Sequence, residues 1–120
     1  MTGAPSARDA ATMFVGAANS QDLQAMSAVW GTDKGAAREN MERSVLESRL
    51  LILQPCYVAD RVQVLDDRIG TTVTQRLVRV QLTRGTRTKT VEFKAVRGPS
   101  NRWYVEDVNY EALQADFCRG

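Results

Sequence analysis

Histidine is absent from this 120-residue chain. That removes the usual general base at neutral pH, the Ser-His-Asp and Cys-His pairs, and most zinc sites. Any catalysis rests on carboxylates, Tyr, Lys or Arg. Cysteine is nearly as scarce. Cys56 and Cys118 stand far apart with no CxxC spacing, so neither a redox motif nor a zinc knuckle is available. They leave two readings open, a single disulfide or two reduced, partly buried thiols. A bridge between them would close a loop of about 60 residues, which the chain-entropy model values at about 4 kcal/mol. There is also no apolar run near the roughly 20 residues a membrane helix needs.

Charge of either sign is not in excess. Sixteen Lys and Arg against fourteen Asp and Glu leave +2, a balance that argues against nucleic acid or a membrane surface as partner on charge alone. The opening MTGAPSARDA has no charged segment followed by an apolar one, the pattern of a secretory signal. Its small residues suit a flexible lead-in over residues 1–6. The length and apolar content suit one domain, expected over residues 7–118.

Helical spacing comes first along the chain. Ser6 and Asp9 give a capping signal, and Ala7, Ala11, Phe14, Val15 and Ala18 predict a helix from Ala7 to Ala18. Leu23, Met26, Val29 and Trp30 predict a second from Gln21 to Trp30, capped by Ser20 and stopped by Gly31. GTDKGAA at 31–37 reads as a helix connection; it lacks the GKS or GKT ending of a phosphate loop, and no cofactor is expected. A third helix is predicted from Ala37 to Leu53, closed by Pro55. Met41, Val45, Ser48 and Ile52 line one edge of its apolar face, and Leu46, Leu50 and Leu53 the other.

After Pro55 the period shifts toward two. Cys56 to Leu65, Thr72 to Thr83, Thr88 to Arg97 and Arg102 to Asn109 read as strands, separated by DDRIG, RGTR and RGPSN. Such short links imply an antiparallel meander. Val58, Val62, Val64, Val78, Val80, Leu82, Val91, Phe93, Ala95, Trp103 and Val105 fall on one face. Arg61, Gln63, Arg79, Gln81, Glu92, Lys94, Tyr104 and Glu106 fall on the other, the pattern of a sheet covered on one side. The fold class is therefore α+β, three N-terminal helices on one face of a four-stranded antiparallel sheet.

A helical hairpin, a third long helix and a meander ending in the G-x-x-x-x-W-Y-V strand resemble the nuclear transport factor 2-like superfamily, which includes ketosteroid isomerase and polyketide cyclases. Phe14, Asp22, Leu23, Met26 to Trp30, and Gly98 to Val108 carry the resemblance. It implies a curved sheet and a pocket enclosed by sheet and helices, where some members place an Asp or Tyr for proton transfer. The chain is most similar to compact bacterial exported proteins and lipoproteins, so a periplasmic or lipoprotein location is the expectation. It departs from the enzymes in having no match to the isomerase's paired acid and tyrosine, and in lacking the short hairpin many members insert before the third helix.

Three functions stay open. One is a noncatalytic domain binding a small apolar ligand through Phe14, Trp30, Tyr57, Phe93 and Trp103. The second is an isomerase- or cyclase-type enzyme. Alternation sets Asp107 beside Trp103 and Val105, and Asp60 beside Val58 and Val62, so either acid is a candidate base raised in pKa by apolar surroundings. Tyr57 or Tyr104 would then donate to an oxyanion. Their structural alternatives are a bulge turning Asp60 to solvent and a cap by Asp107 for a helical turn near Tyr110 and Glu111. The third function is an interaction module using Arg76, Arg79, Arg84, Arg87, Lys89, Lys94, Arg97 and Arg102, set against the plain reading of a solvated sheet face. Leu77, Val96 and Val108 interrupt that face and suggest a homodimer through the sheet.

Overall fold

The computed structural model describes residues 1–108, 113 and 117–119. Ser6 Oγ accepts from the Asp9 N–H and starts α1, Ala7–Asn19. Its buried side, Ala7, Ala10, Ala11, Phe14, Val15, Ala17 and Ala18, is mostly methyl groups. Side chains this small let a helix axis lie close to a sheet, and α1 touches all four strands of the main one. Gln21 takes φ 55° between the helices, and Asp22 rather than Ser20 caps α2, Leu23–Val29, its carboxylate accepting from the Ala25 N–H at 3.0 Å.

The stretch expected as a connection is a small hairpin, β1 (Gly31–Thr32) paired with β2 (Gly35–Ala36). Gly31 is required there, because a Cβ on it would meet the Gly35 carbonyl oxygen at 2.1 Å. A short hairpin thus precedes the third helix, where the sequence reading expects none. The predicted third helix is two: α3, Ala37–Asn40, and α4, Arg43–Leu53. Met41 goes extended at φ −120°, ψ 148°, and Glu42 restarts the helix by accepting from the Ser44 N–H. Leu46, Leu50 and Leu53 face the core, whereas Val45 and Ile52, expected beside them, are exposed. A 3₁₀ turn, Gln54–Tyr57, then carries Pro55.

The main sheet is β3 (Arg61–Ile69), β4 (Gln75–Arg84), β5 (Arg87–Arg97) and β6 (Trp103–Val108), antiparallel and in sequence order. With its helices it makes an α+β fold as expected. RGTR and RGPSN are turns; Gly85 sits at φ 60° in the first, a conformation that favours glycine. DDRIG is not a turn. Leu65 is an extra residue in β3, so Val64 opposes Val80 while Asp66 opposes Arg79, and Asp66 to Ile69 stay in the ladder. Asp66 pairs with Arg79 across the strands, and Asp67 with Arg76 and with Arg8 of α1. Charges satisfied in this way belong to a strand as well as to a turn.

Residues 1–6, expected as a flexible lead-in, are tied to the sheet. Ala4 and Trp103 exchange backbone hydrogen bonds of 2.9 and 2.8 Å, the Gly3 N–H donates to the Ala28 carbonyl, and the Arg102 guanidinium donates to the Thr2 and Gly3 carbonyls. Cys56 and Cys118 form a disulfide across 62 residues of sequence. The expected positions of Asn109, Tyr110 and Glu111 lie outside the described residues. Among the described residues no helix is long and apolar enough to cross a membrane.

Phe14, Tyr57 and Phe93 have no exposed surface, and their ring centroids are 5.5 to 6.0 Å apart in edge-on and tilted contacts. Truncating Phe93 to Ala is expected to cost about 3–5 kcal/mol of unfolding free energy and Phe93→Leu much less, measured by urea denaturation. Asp67 supplies a second test. Hydrogen bonds from Arg76 and then Arg8 lower its pKa below the usual carboxylate value. A depressed folded pKa stabilises the fold above the unfolded value of about 4 and ceases to do so as pH falls through the folded one. The melting temperature should therefore drop with acid below pH of about 4, and Asp67→Asn should flatten that drop while lowering the melting temperature at neutral pH.

Candidate ligand-binding cavity

The space between sheet and α1, where the sequence reading expects a pocket, is filled. Phe14, Tyr57 and Phe93 occupy it with Val78, Val80, Leu82 and Val105, none of which is exposed. Three of the five candidate ligand contacts are thus interior packing. Trp30 and Trp103 are half-buried and rest against the same core.

The cavity of interest, of about 420 Å³, opens elsewhere. Trp30 bridges Val105 in parallel, and Ala4 bridges Trp103, so the outer edge of β6 is covered along its first half. Past the Trp30 bridge the strand runs on to Val108, and there the cavity lies. α4 supplies one wall with Arg49, Ile52 and Leu53, and the sheet supplies another with Leu77, Glu92, Lys94, Glu106, Asp107 and Val108. Ile52 is 63% exposed, so this wall is open to solvent.

The side on which Asp107 stands follows from one residue. In β6, Val105 opposes Ala95 but Asp107 opposes Lys94, so Glu106 is an extra residue and the alternation slips there. Trp103 and Val105 face the helices as expected. Asp107 does not follow them: it is exposed, on the outer face beside Lys94, while Val108 takes the inner position opposite Phe93. Asp60 is likewise exposed and lies before β3; its carboxylate accepts from the Gly85 N–H at 2.7 Å and holds the β4–β5 turn. The two acids do not share a chamber. Tyr104 lies on the outer face as expected but is buried, its hydroxyl 2.8 Å from Thr2 Oγ1.

The cations of the strand region are largely committed within the fold. Arg76 and Arg79 are ion-paired, and Arg102 holds the N-terminal backbone. Arg84 donates to the carbonyls of Val58 and Pro55 at 2.8 Å each and to that of Phe117, and lies 4.6 Å over the Phe117 ring. Of the apolar residues expected to mark a dimer face, Val96 is buried with Ala36 and Tyr104, Val108 faces inward, and Leu77 lines the cavity. Arg49, Ile52 and Glu106 were not singled out by sequence reasoning as site residues, since the local pattern of Arg49 and Glu106 matches a solvated face and that of Ile52 an ordinary core-facing helix position. Among the described residues no cluster of three or more metal-ligating side chains occurs.

Comparison of the chain with protein-family models, with curated proteins and with solved structures returns no match. The different work of the two acids is testable by substitution. Asp60→Ala is expected to lower unfolding free energy by about 1 kcal/mol, the usual worth of such a hydrogen bond. Asp107→Ala should stay within about 0.5 kcal/mol of the parent, as an exposed position does. Chemical denaturation of both variants distinguishes them.

Proposed function

We propose that the chain is a noncatalytic binding domain of the nuclear transport factor 2-like kind, whose ligand occupies the cavity beside β6 and α4. The observation that carries this reading is the contrast between two spaces. The interior behind the sheet is filled by an aromatic cluster, while a cavity of about 420 Å³ combines Trp30, Leu53, Leu77 and Val108 with charged side chains. That size lies within the range of about 300–1,000 Å³ typical of small-molecule sites, as does a lining of apolar groups with a few polar ones.

The order of elements supports the architectural part: a helical hairpin, a short β hairpin, further helices and an antiparallel meander. Solvent exposure of Asp60 and Asp107 supports binding over acid-base chemistry, because a carboxylate becomes a base near neutral pH when desolvation raises its pKa. The Cys56–Cys118 disulfide supports an oxidising compartment and hence an exported protein.

Titrating the isotope-labelled protein with indole and with cyclohexanol, followed by two-dimensional NMR, tests the site. Saturable shifts should centre on Trp30, Ile52, Leu77 and Val108. Shifts centred on Phe14 and Phe93, or no saturable shift with either probe, would defeat the reading.

A further inference from the structure

The charged residues on the outer face of the sheet fall into two groups. Asp66 and Arg79 are paired, and so are Arg68 and Glu92 at 2.7 Å. Lys94 and Asp107 are directly opposite each other on β5 and β6, carry opposite charge and share a face, yet they make no ion pair among the described residues. Opposed charges in adjacent strands ordinarily attract. Both line the cavity, as do Arg49 of α4 and Glu106 at the bulge, which are also without an ion pair among the described residues. The cavity thus brings two cations and two carboxylates that make no ion pair among the described residues around an apolar body that includes Trp30 and Leu77.

We propose that this cavity takes a small apolar zwitterion, an apolar amino acid or dipeptide, with its carboxylate toward Lys94 and Arg49 and its ammonium toward Asp107 and Glu106. The proposal rests on the binding-domain reading above and adds the ligand class. Charge matching selects this class of ligand. A ligand bearing only an anion would satisfy the cations and set its charge against two carboxylates, and a ligand bearing only a cation would do the reverse. A ligand with both charges meets both sets, and Trp30 and Leu77 receive its side chains. Charge-assisted hydrogen bonds are stronger than neutral ones, so each terminus contributes to selection.

The probe is the dipeptide L-leucyl-L-phenylalanine, compared at neutral pH with its N-acetyl form, its C-terminal amide and the doubly blocked form, by calorimetry and NMR. The free dipeptide should bind about tenfold or more tightly than either singly blocked form, with shifts at Trp30, Leu77 and Asp107. Lys94→Gln should abolish the preference for a free carboxylate, and Asp107→Asn the preference for a free ammonium. Because both positions lie on the outer face, each variant's folding is checked by its circular dichroism and melting temperature before binding is measured.

Equal affinity for all four peptides would overturn the zwitterion proposal and leave the binding site standing. Indole binding with no peptide binding would do the same. Failure of both indole and the peptides would remove the binding reading itself. Peptide shifts centred away from the cavity, or variants that keep the parent's preferences, would also overturn the proposal.

Discussion

Phe93 sits in the third strand of the sheet with Phe14 and Tyr57 against its ring, and all three are excluded from solvent. Side chains alternate along a strand, so fixing Phe93 inward fixes Val91 and Ala95 with it and sends Glu92 and Lys94 outward. A slip of one residue would bury Glu92 and Lys94 under α1 and expose Phe93, at a cost of several kcal/mol. The aromatic contact therefore does more than fill space. It sets the register of β5, and β5 pairs with both β4 and β6, so the placement of Leu77, Lys94 and Asp107 around the cavity descends from it.

What the aromatic cluster fixes at the centre, two extra residues alter at the sides. Leu65 in β3 and Glu106 in β6 each put two residues against one and exchange the faces of everything that follows. The consequences differ. Beyond Leu65, Asp67 turns toward α1, where Arg8 and Arg76 meet it. Beyond Glu106, Asp107 turns away from the core and Val108 turns in. The same local device makes an ion cluster on the helix-facing side at one edge of the sheet and turns a carboxylate out to solvent at the other.

The sheet, its antiparallel order and most of its inward residues were legible because the pattern repeats: Val78 opposes Phe93 and Val80 opposes Val91, and Leu82 and Ala95 continue the same inward rows with no break in register. The helices were legible where methyl and leucine side chains recur at helical spacing, as in α1 and at Leu46, Leu50 and Leu53. The site was much less so. An expected run of alternation gives no sign of a bulge, since an extra Leu65 or Glu106 looks like any other strand residue until its partner is known. The aromatic residues chosen as ligand contacts were right as inward residues, but inwardness does not distinguish a lining from a plug. That depends on whether α1 lies close, and its alanines bring it close. The break between α3 and α4 escaped because Met41 is a good helix former; the Glu42 cap is a local hydrogen bond to the Ser44 N–H, and Glu is not among the residues that usually mark a helix start.

Arg84 joins these levels. Its position in β4 suggests a solvated cation, yet its guanidinium gathers carbonyls from Pro55, Val58 and Phe117 and lies on the Phe117 ring. A planar fork of donors suits several carbonyls at once in a way an ammonium does not. Beside it the Cys56–Cys118 disulfide ties the same two segments covalently. Leu53 lies three residues before Cys56, and Val108 is where β6 ends on the way to Cys118; both line the cavity. The disulfide and the arginine thus tie the turn that follows α4 to Phe117 and Cys118. A cavity walled partly by a strand end and a helix end gains from such an anchor, because Val108 is the last residue of β6 paired to β5 and the end of α4 has no strand ladder to hold it.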